Sequence, residues 1–161
     1  MIRLHLNESP FPPSPRVGEY LARFYGHLNR YTLKEFNDRL IELLHNYTRI
    51  DRKNISVFPS SSSALWHLTR FAIKSGFRVV SLRPTFHGYI EMLKNEDVRV
   101  ELVNLHYPDF ALDHDALLER VSKDALVYIS NPNNPTANIL LESRSDVEEL
   151  CKKSGLVVID E

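Results

Sequence analysis

The sequence holds a single cysteine, Cys151, among 161 residues. One cysteine excludes an intrachain disulfide framework and a zinc cluster of several thiolates. Cys151 therefore reads as a small apolar residue buried on a helix. Long hydrophobic runs are missing as well. No apolar stretch approaches bilayer-spanning length, and the opening MIRLHLNESP lacks the apolar core of a secretory signal. A soluble, cytoplasmic protein without membrane contact is the expectation. Charge of one sign is also absent. Lysine and arginine number 20 against 21 aspartates and glutamates, for a formal net charge of -1. That balance gives no sign of a nucleic-acid partner or an anionic membrane surface. No internal repeat and no low-complexity tract occurs. What remains is 43% hydrophobic and 25% charged, the make-up of a folded domain of ordinary length.

Four prolines, Pro10, Pro12, Pro13 and Pro15, follow Asn7 within nine positions. Proline removes backbone donors and disfavours helix in the residue before it, so this segment is an extended arm. Ser14-Pro15 reads as a helix N-cap with proline in the first helical position. Val17, Tyr20, Leu21 and Phe24 continue at helical spacing. A second helix is predicted from about Leu33 to Tyr47, with an apolar stripe of Leu33, Phe36, Leu40, Leu43, Leu44 and Tyr47. The arm and these helices occupy residues 1–50.

From residue 51 the pattern alternates between strand and helix. Strands are predicted at 55–58, 78–82, 98–105, 125–130 and 156–159. Helices are predicted over 61–75, 86–94 and 113–121, with Gly76 as a C-terminal stop. A last helix opens on Ser145-Asp146-Val147-Glu148, a capping-box pattern, and ends at Gly155. The runs LVYI and LVVI are continuous rather than alternating, as in strands covered on both faces. The fold class is therefore α/β, a mainly parallel sheet with helices on both faces.

Ligands of open parallel sheets bind beyond the carboxyl ends of the strands. The polar groups there are Ser60 to Ser63, Pro84-Thr85-Phe86, Asn131 to Thr136, and Asp160-Glu161. Each admits two roles. The serine run can cap a helix, or its free N–H groups and the helix dipole can hold a phosphate. Asp160 can be a solvated strand end, or it can face a protonated heterocycle and keep the ring charged. The asparagines of SNPNNPT can brace a stiff loop, or they can be aimed at a ligand.

The segment Ser130-Asn131-Pro132-Asn133-Asn134-Pro135-Thr136 resembles the asparagine-proline loop of fold-type-I pyridoxal-phosphate (PLP) enzymes. Leu6-Asn7-Glu8-Ser9-Pro10 with Pro13-Ser14-Pro15 resembles the amino-terminal arm of histidinol-phosphate aminotransferases. Asn29-Arg30-Tyr31 is similar to the Arg-Tyr-Pro step before their first long helix. Pro84-Thr85-Phe86 with Tyr89 is similar to their segment bearing the ring-stacking aromatic. Val157 to Glu161 is similar to the strand carrying the pyridine-binding aspartate. The motifs keep family order along the whole chain.

The resemblance implies roles. The backbone amides of Ser61 and Ser62, with the Ser62 hydroxyl, would hold the PLP phosphate. Phe86 would stack on the pyridine, Asn134 would bond its phenolic oxygen, and Asp160 would pair with its nitrogen. Tyr31 would reach the cofactor phosphate of the partner subunit in a homodimer with shared active sites. Asn7 would belong to an arm closing over substrate. Residues 1–50 would be part of the small domain, and residues 51–161 the first part of an incomplete PLP-binding large domain. Departures are Ser63 in place of an acidic residue, a phosphate turn without its initial glycine, Thr32-Leu33 after Tyr31, and Ala137 in place of glycine.

The Schiff-base lysine of the family is absent. Lys74, Lys94, Lys152 and Lys153 stand on polar helical faces or helix ends. The implied chemistry is amino-group transfer between an amino acid or amino-alcohol phosphate and a keto acid, by an enzyme of which this chain is one part and inactive alone. Loss of carbon dioxide, as in threonine-phosphate decarboxylases, is the related alternative. A non-catalytic binding or structural remnant is the other.

Overall fold

The computed structural model describes residues 7–161. The chain divides into two units, Met1–Val57 and Phe58–Glu161.

In the first unit, helix α1 spans Pro15–Phe24 and α2 spans Lys34–Thr48. Ser14 takes the cap position through its backbone: its carbonyl accepts from the Val17 N–H at 2.8 Å, and its hydroxyl makes no cap bond. Pro15 fits the first turn because no N–H is needed there. Arg49 ends α2 in the left-handed region at φ 63°. Tyr20 stacks on Phe24 at 4.6 Å, and Phe24 meets Phe36 edge-on at 5.4 Å, which joins α1 to α2. Arg52 forks onto the Glu42 carboxylate. The predicted apolar stripe of α2 is present, but neither α1 nor α2 buries a residue.

The second unit carries the sheet. The strand predicted at 55–58 does not form. A strand exists only where a neighbour takes its N–H and C=O groups, and none of the four described strands pairs with this segment. Helix α3 spans Ser61–Ser75 and stops at Gly76, whose φ of 68° suits a residue without Cβ. Strand β1 (Arg78–Arg83), α4 (His87–Asn95), β2 (Val100–Asn104), α5 (His114–Glu119), β3 (Ala125–Ser130), α6 (Arg144–Lys153) and β4 (Leu156–Asp160) follow. All pairings are parallel, in the order β2-β1-β3-β4.

Alternate residues of β3 serve opposite layers. Leu126 and Tyr128 pack with Leu65 and Ala72 of α3 and Tyr89, Ile90 and Leu93 of α4. Val127 and Ile129 pack with Leu117 of α5 and Leu150 of α6. Strand β3 is buried throughout, as its continuous apolar run implies. The similar run of β4 is only half-buried, because β4 lies at the edge of the described sheet.

Two local expectations are corrected. Helix α6 is capped by Ser143, not Ser145. Two overlapping Ser-x-x-acid patterns occur, and the one used is Ser143 with Asp146. The Asp146 N–H donates to Ser143 Oγ and the Ser143 N–H to Asp146 Oδ2. Cys151 lies on α6 but is exposed. Leu150 fills the core contact of that turn, and Cys151 sits on an open flank beside Val147, Glu148 and Lys152.

Candidate functional site

Chain direction builds the site. From β1 the chain passes through α4 to β2 on one side. It then crosses back over β1, through α5, to β3 on the other side. The helices that follow β1 and β3 therefore lie in opposite layers, and the carboxyl edge between these strands is where open parallel sheets bind their ligands. Helix α3 returns antiparallel to β1, which directs its first turn to the same edge.

The loop after β3 is braced by two of its asparagines. Asn131 Oδ1 accepts from the N–H groups of Leu140 and Leu141, at 2.7 and 3.2 Å. Asn133 is 2% exposed. Its Nδ2 donates to the Pro84 carbonyl at 3.1 Å and to Thr136 Oγ1 at 2.8 Å. One side chain thus ties the loop after β1 to the loop after β3. Asn134 is half-buried, and its carboxamide makes no hydrogen bond among the described residues.

Asp160 ends β4 in register with Ser130. Its side chain turns to the α3/α4 layer, where Tyr128 Oη donates to Asp160 Oδ2 at 2.6 Å. Burial, and then the Asp160 carboxylate, push the Tyr128 phenol far above its ordinary range, so Tyr128 remains a donor. Ser81 Oγ donates to the Tyr128 carbonyl at 2.8 Å. The Tyr89 ring lies 4.4 Å from the Tyr128 ring, tilted by 53°.

At the start of α3, Ser60 Oγ accepts from the Ser63 N–H and the Ser60 carbonyl from the Ala64 N–H. Ser60 is thus the cap. The N–H groups of Ser61 and Ser62 have no partner among the described residues, at the positive end of a 15-residue helix. Phe86 follows β1, half-buried against the α3/α4 layer. A Cβ added to Gly88 would meet the Phe86 ring at 2.8 Å, so the ring rests in space that only glycine leaves open. Tyr31 and Asn7 belong to the Met1–Val57 unit. Tyr31 is fully exposed, and Asn7 is exposed with φ 52°.

Lys74, Lys94, Lys152 and Lys153 are exposed. Lys123 Nζ donates to the Ser154 carbonyl at the opposite, amino edge of the sheet. Concave surface beside α6, and beneath the segment 138–146, shares no residue with the carboxyl-edge set.

The family model described as aminotransferase class I and II matches residues 1–161. The chain belongs to that aminotransferase family. It is 33% identical to a histidinol-phosphate aminotransferase of Sulfurisphaera tokodaii, over 99% of this chain and 46% of the relative. It is 31% identical to histidinol-phosphate aminotransferase 1 of Archaeoglobus fulgidus, over 100% of this chain and 49% of the relative. The chain thus spans about half the length of these curated relatives. Among solved structures, it superposes on a histidinol-phosphate aminotransferase of Sinorhizobium meliloti in complex with pyridoxal-5'-phosphate. There the TM-score is 0.82 and the identity 24%, over 97% of this chain and 42% of that one. A Thermus thermophilus aspartate aminotransferase matches with a TM-score of 0.74 and 21% identity, over 91% of this chain and 42% of that one. These two likenesses establish the aminotransferase fold of the sheet and its helices.

Three residues of this aminotransferase edge escaped sequence reasoning. Tyr128 sits in a run read only as buried strand, and its bond to Asp160 crosses 32 positions. Asn133 was one of several asparagines that could brace the loop, and its fixed partner is 49 positions away. Gly88 lies two residues after Phe86, and that spacing is the one available local signal.

Proposed function

We propose that the chain supplies the cofactor-binding part of a PLP-dependent aminotransferase of histidinol-phosphate type, exchanging an amino group between an amino acid or amino-alcohol phosphate and a keto acid. The carrying observation is that an anion-seeking helix start, a free carboxamide and a braced carboxylate stand at one sheet edge of an aminotransferase-family chain. The curated relatives named above bear that activity in their names.

The donor set fits PLP. Two free N–H groups at the α3 start suit a phosphate dianion, with the Ser62 hydroxyl as a third donor. The Asn134 carboxamide suits the ring's phenolic oxygen. Asp160 suits a protonated ring nitrogen, and Phe86 offers an apolar face for the ring. When bound, PLP supplies an electron sink for the pair left on a substrate carbon as its proton departs. This chain's residues would bind and orient: Asp160 would hold positive charge at the ring nitrogen, and Asn134 would donate to the phenolic oxygen. Asn7 belongs to an arm over the substrate. Tyr31 reaches the cofactor phosphate of a second subunit in a cytoplasmic homodimer. In this reading residues 1–50 are part of a small domain, and residues 51–161 begin the large one.

Titration of the purified protein with PLP, followed by absorbance, tests the reading. Binding should be competed by inorganic phosphate and weakened by Asp160→Ala. Spectra unchanged by PLP would end it.

A further inference from the structure

Tyr128 is fully buried, yet its hydroxyl is not idle. It donates to Asp160 Oδ2 at 2.6 Å, the length of a charge-assisted O–H···O⁻ bond. Three other contacts leave it little freedom. β3 places it in register with Val158, one alternation before Asp160 on the same face. Ser81 Oγ anchors its carbonyl, and the Tyr89 ring packs at 4.4 Å. Leu126, Tyr89 and Val158 surround it with apolar surface. A donor so fixed, aimed at one carboxylate oxygen, decides where the other oxygen points.

We infer that Tyr128 is a positioning residue for ring-nitrogen recognition: by holding Asp160 Oδ2 it presents Oδ1 to a cationic heterocycle N–H. The inference rests on the PLP reading of the Asp160 site. Tyr128 does not itself touch the cofactor. Its effect is therefore confined to ligands that have a ring nitrogen, and it vanishes when the aspartate is gone. A phenylalanine here keeps the packing and removes only the donor, so the selectivity of the loss separates positioning from plain structural support.

The test compares two ligands, PLP and its deaza analogue with a carbon in place of the ring nitrogen. Dissociation constants are read from quenching of the only tryptophan, Trp66. Tyr128→Phe should weaken PLP about tenfold, the scale of one hydrogen bond to a charged group, and leave the deaza analogue unchanged. In an Asp160→Asn background, Tyr128→Phe should change neither. Equal weakening of both ligands, or no weakening of PLP, overturns the inference while leaving PLP binding intact. If the unmodified protein binds both ligands alike and Asp160→Asn has no effect, the ring-nitrogen reading itself fails and takes this inference with it. Should Tyr128→Phe not fold, tyrosine-ring carbon labelling of the unmodified protein decides. The Tyr128 resonance should shift with PLP and stay fixed with the deaza analogue, and the same shift with both ligands refutes the role.

Discussion

Adjacent asparagines in one loop are set to different tasks. Asn133 is enclosed, and its amide bonds the Pro84 carbonyl and Thr136 Oγ1. Removing that amide leaves the half-buried Pro84 carbonyl without its donor and separates the β1 and β3 loops. Asn133→Ala should therefore destabilise by about 2 kcal/mol in urea unfolding. Asn134 makes no hydrogen bond among the described residues. Asn134→Ala should leave stability within about 0.5 kcal/mol while weakening PLP. A large stability loss at Asn134 would show that it braces the loop as its neighbour does. In sequence, both asparagines precede or follow a proline in a single motif, and nothing local distinguishes them.

At the scale of the element, α6 shows how a local pattern can be ambiguous by two residues. Ser143 and Ser145 both open a Ser-x-x-acid pattern, and the reciprocal bonds belong to Ser143 and Asp146. Ser143→Ala should cost about 1 kcal/mol in chemical denaturation, and Ser145→Ala much less. Acid should act on the same cap. The Ser143 hydroxyl, more than any other group, holds the Asp146 carboxyl below its ordinary value of 3.8. At the α5 start, the Ala116 N–H does the same for Asp113. Both folded-state values are depressed, so the caps contribute in full above the ordinary carboxylate range. That contribution fades as pH falls through the folded values. A thermal midpoint that drops on acidification below pH 3.8, less steeply in Asp146→Asn, is the expected result.

For the whole molecule, both sheet edges and one pair of helices lack cover among the described residues. The outer edges of β2 and β4 have no partner strand, and α1 and α2 bury none of their residues. Tyr20, Leu21, Leu43 and Tyr47 are all more than half exposed. Unpaired edges and apolar faces drive association. Sedimentation velocity should show assemblies larger than one chain, and a single monomeric species across micromolar concentrations would contradict this. No described helix is long and apolar enough to cross a membrane. The chain alone should also show no transaminase turnover with PLP supplied. The reaction needs a positioned lysine amine, and Lys74, Lys94, Lys152 and Lys153 are exposed. Borohydride reduction with PLP and peptide mapping should give scattered labelling. One specifically labelled lysine, with substrate-dependent conversion to the pyridoxamine form, would refute the claim.

The α/β class and the edge that gathers polar groups were legible in sequence because both rest on local rules. The apolar periods mark elements, glycine at 76 and proline at 15 mark their ends, and parallel strands must return to one edge. Neighbour-dependent features were not legible. The segment 55–58 has strand composition but no ladder partner, and LVVI in β4 reads like LVYI in β3 though only β3 is enclosed. Cys151 has the spacing of a core residue but lies beside the helix face that is covered. Sequence by itself determined which residue types stand at the ends of the strands. Tertiary structure alone decided that Tyr128 bonds Asp160 and that Asn133 reaches Pro84. Such bonds depend on strand order and register, which join positions 32 and 49 residues apart and which no local propensity encodes.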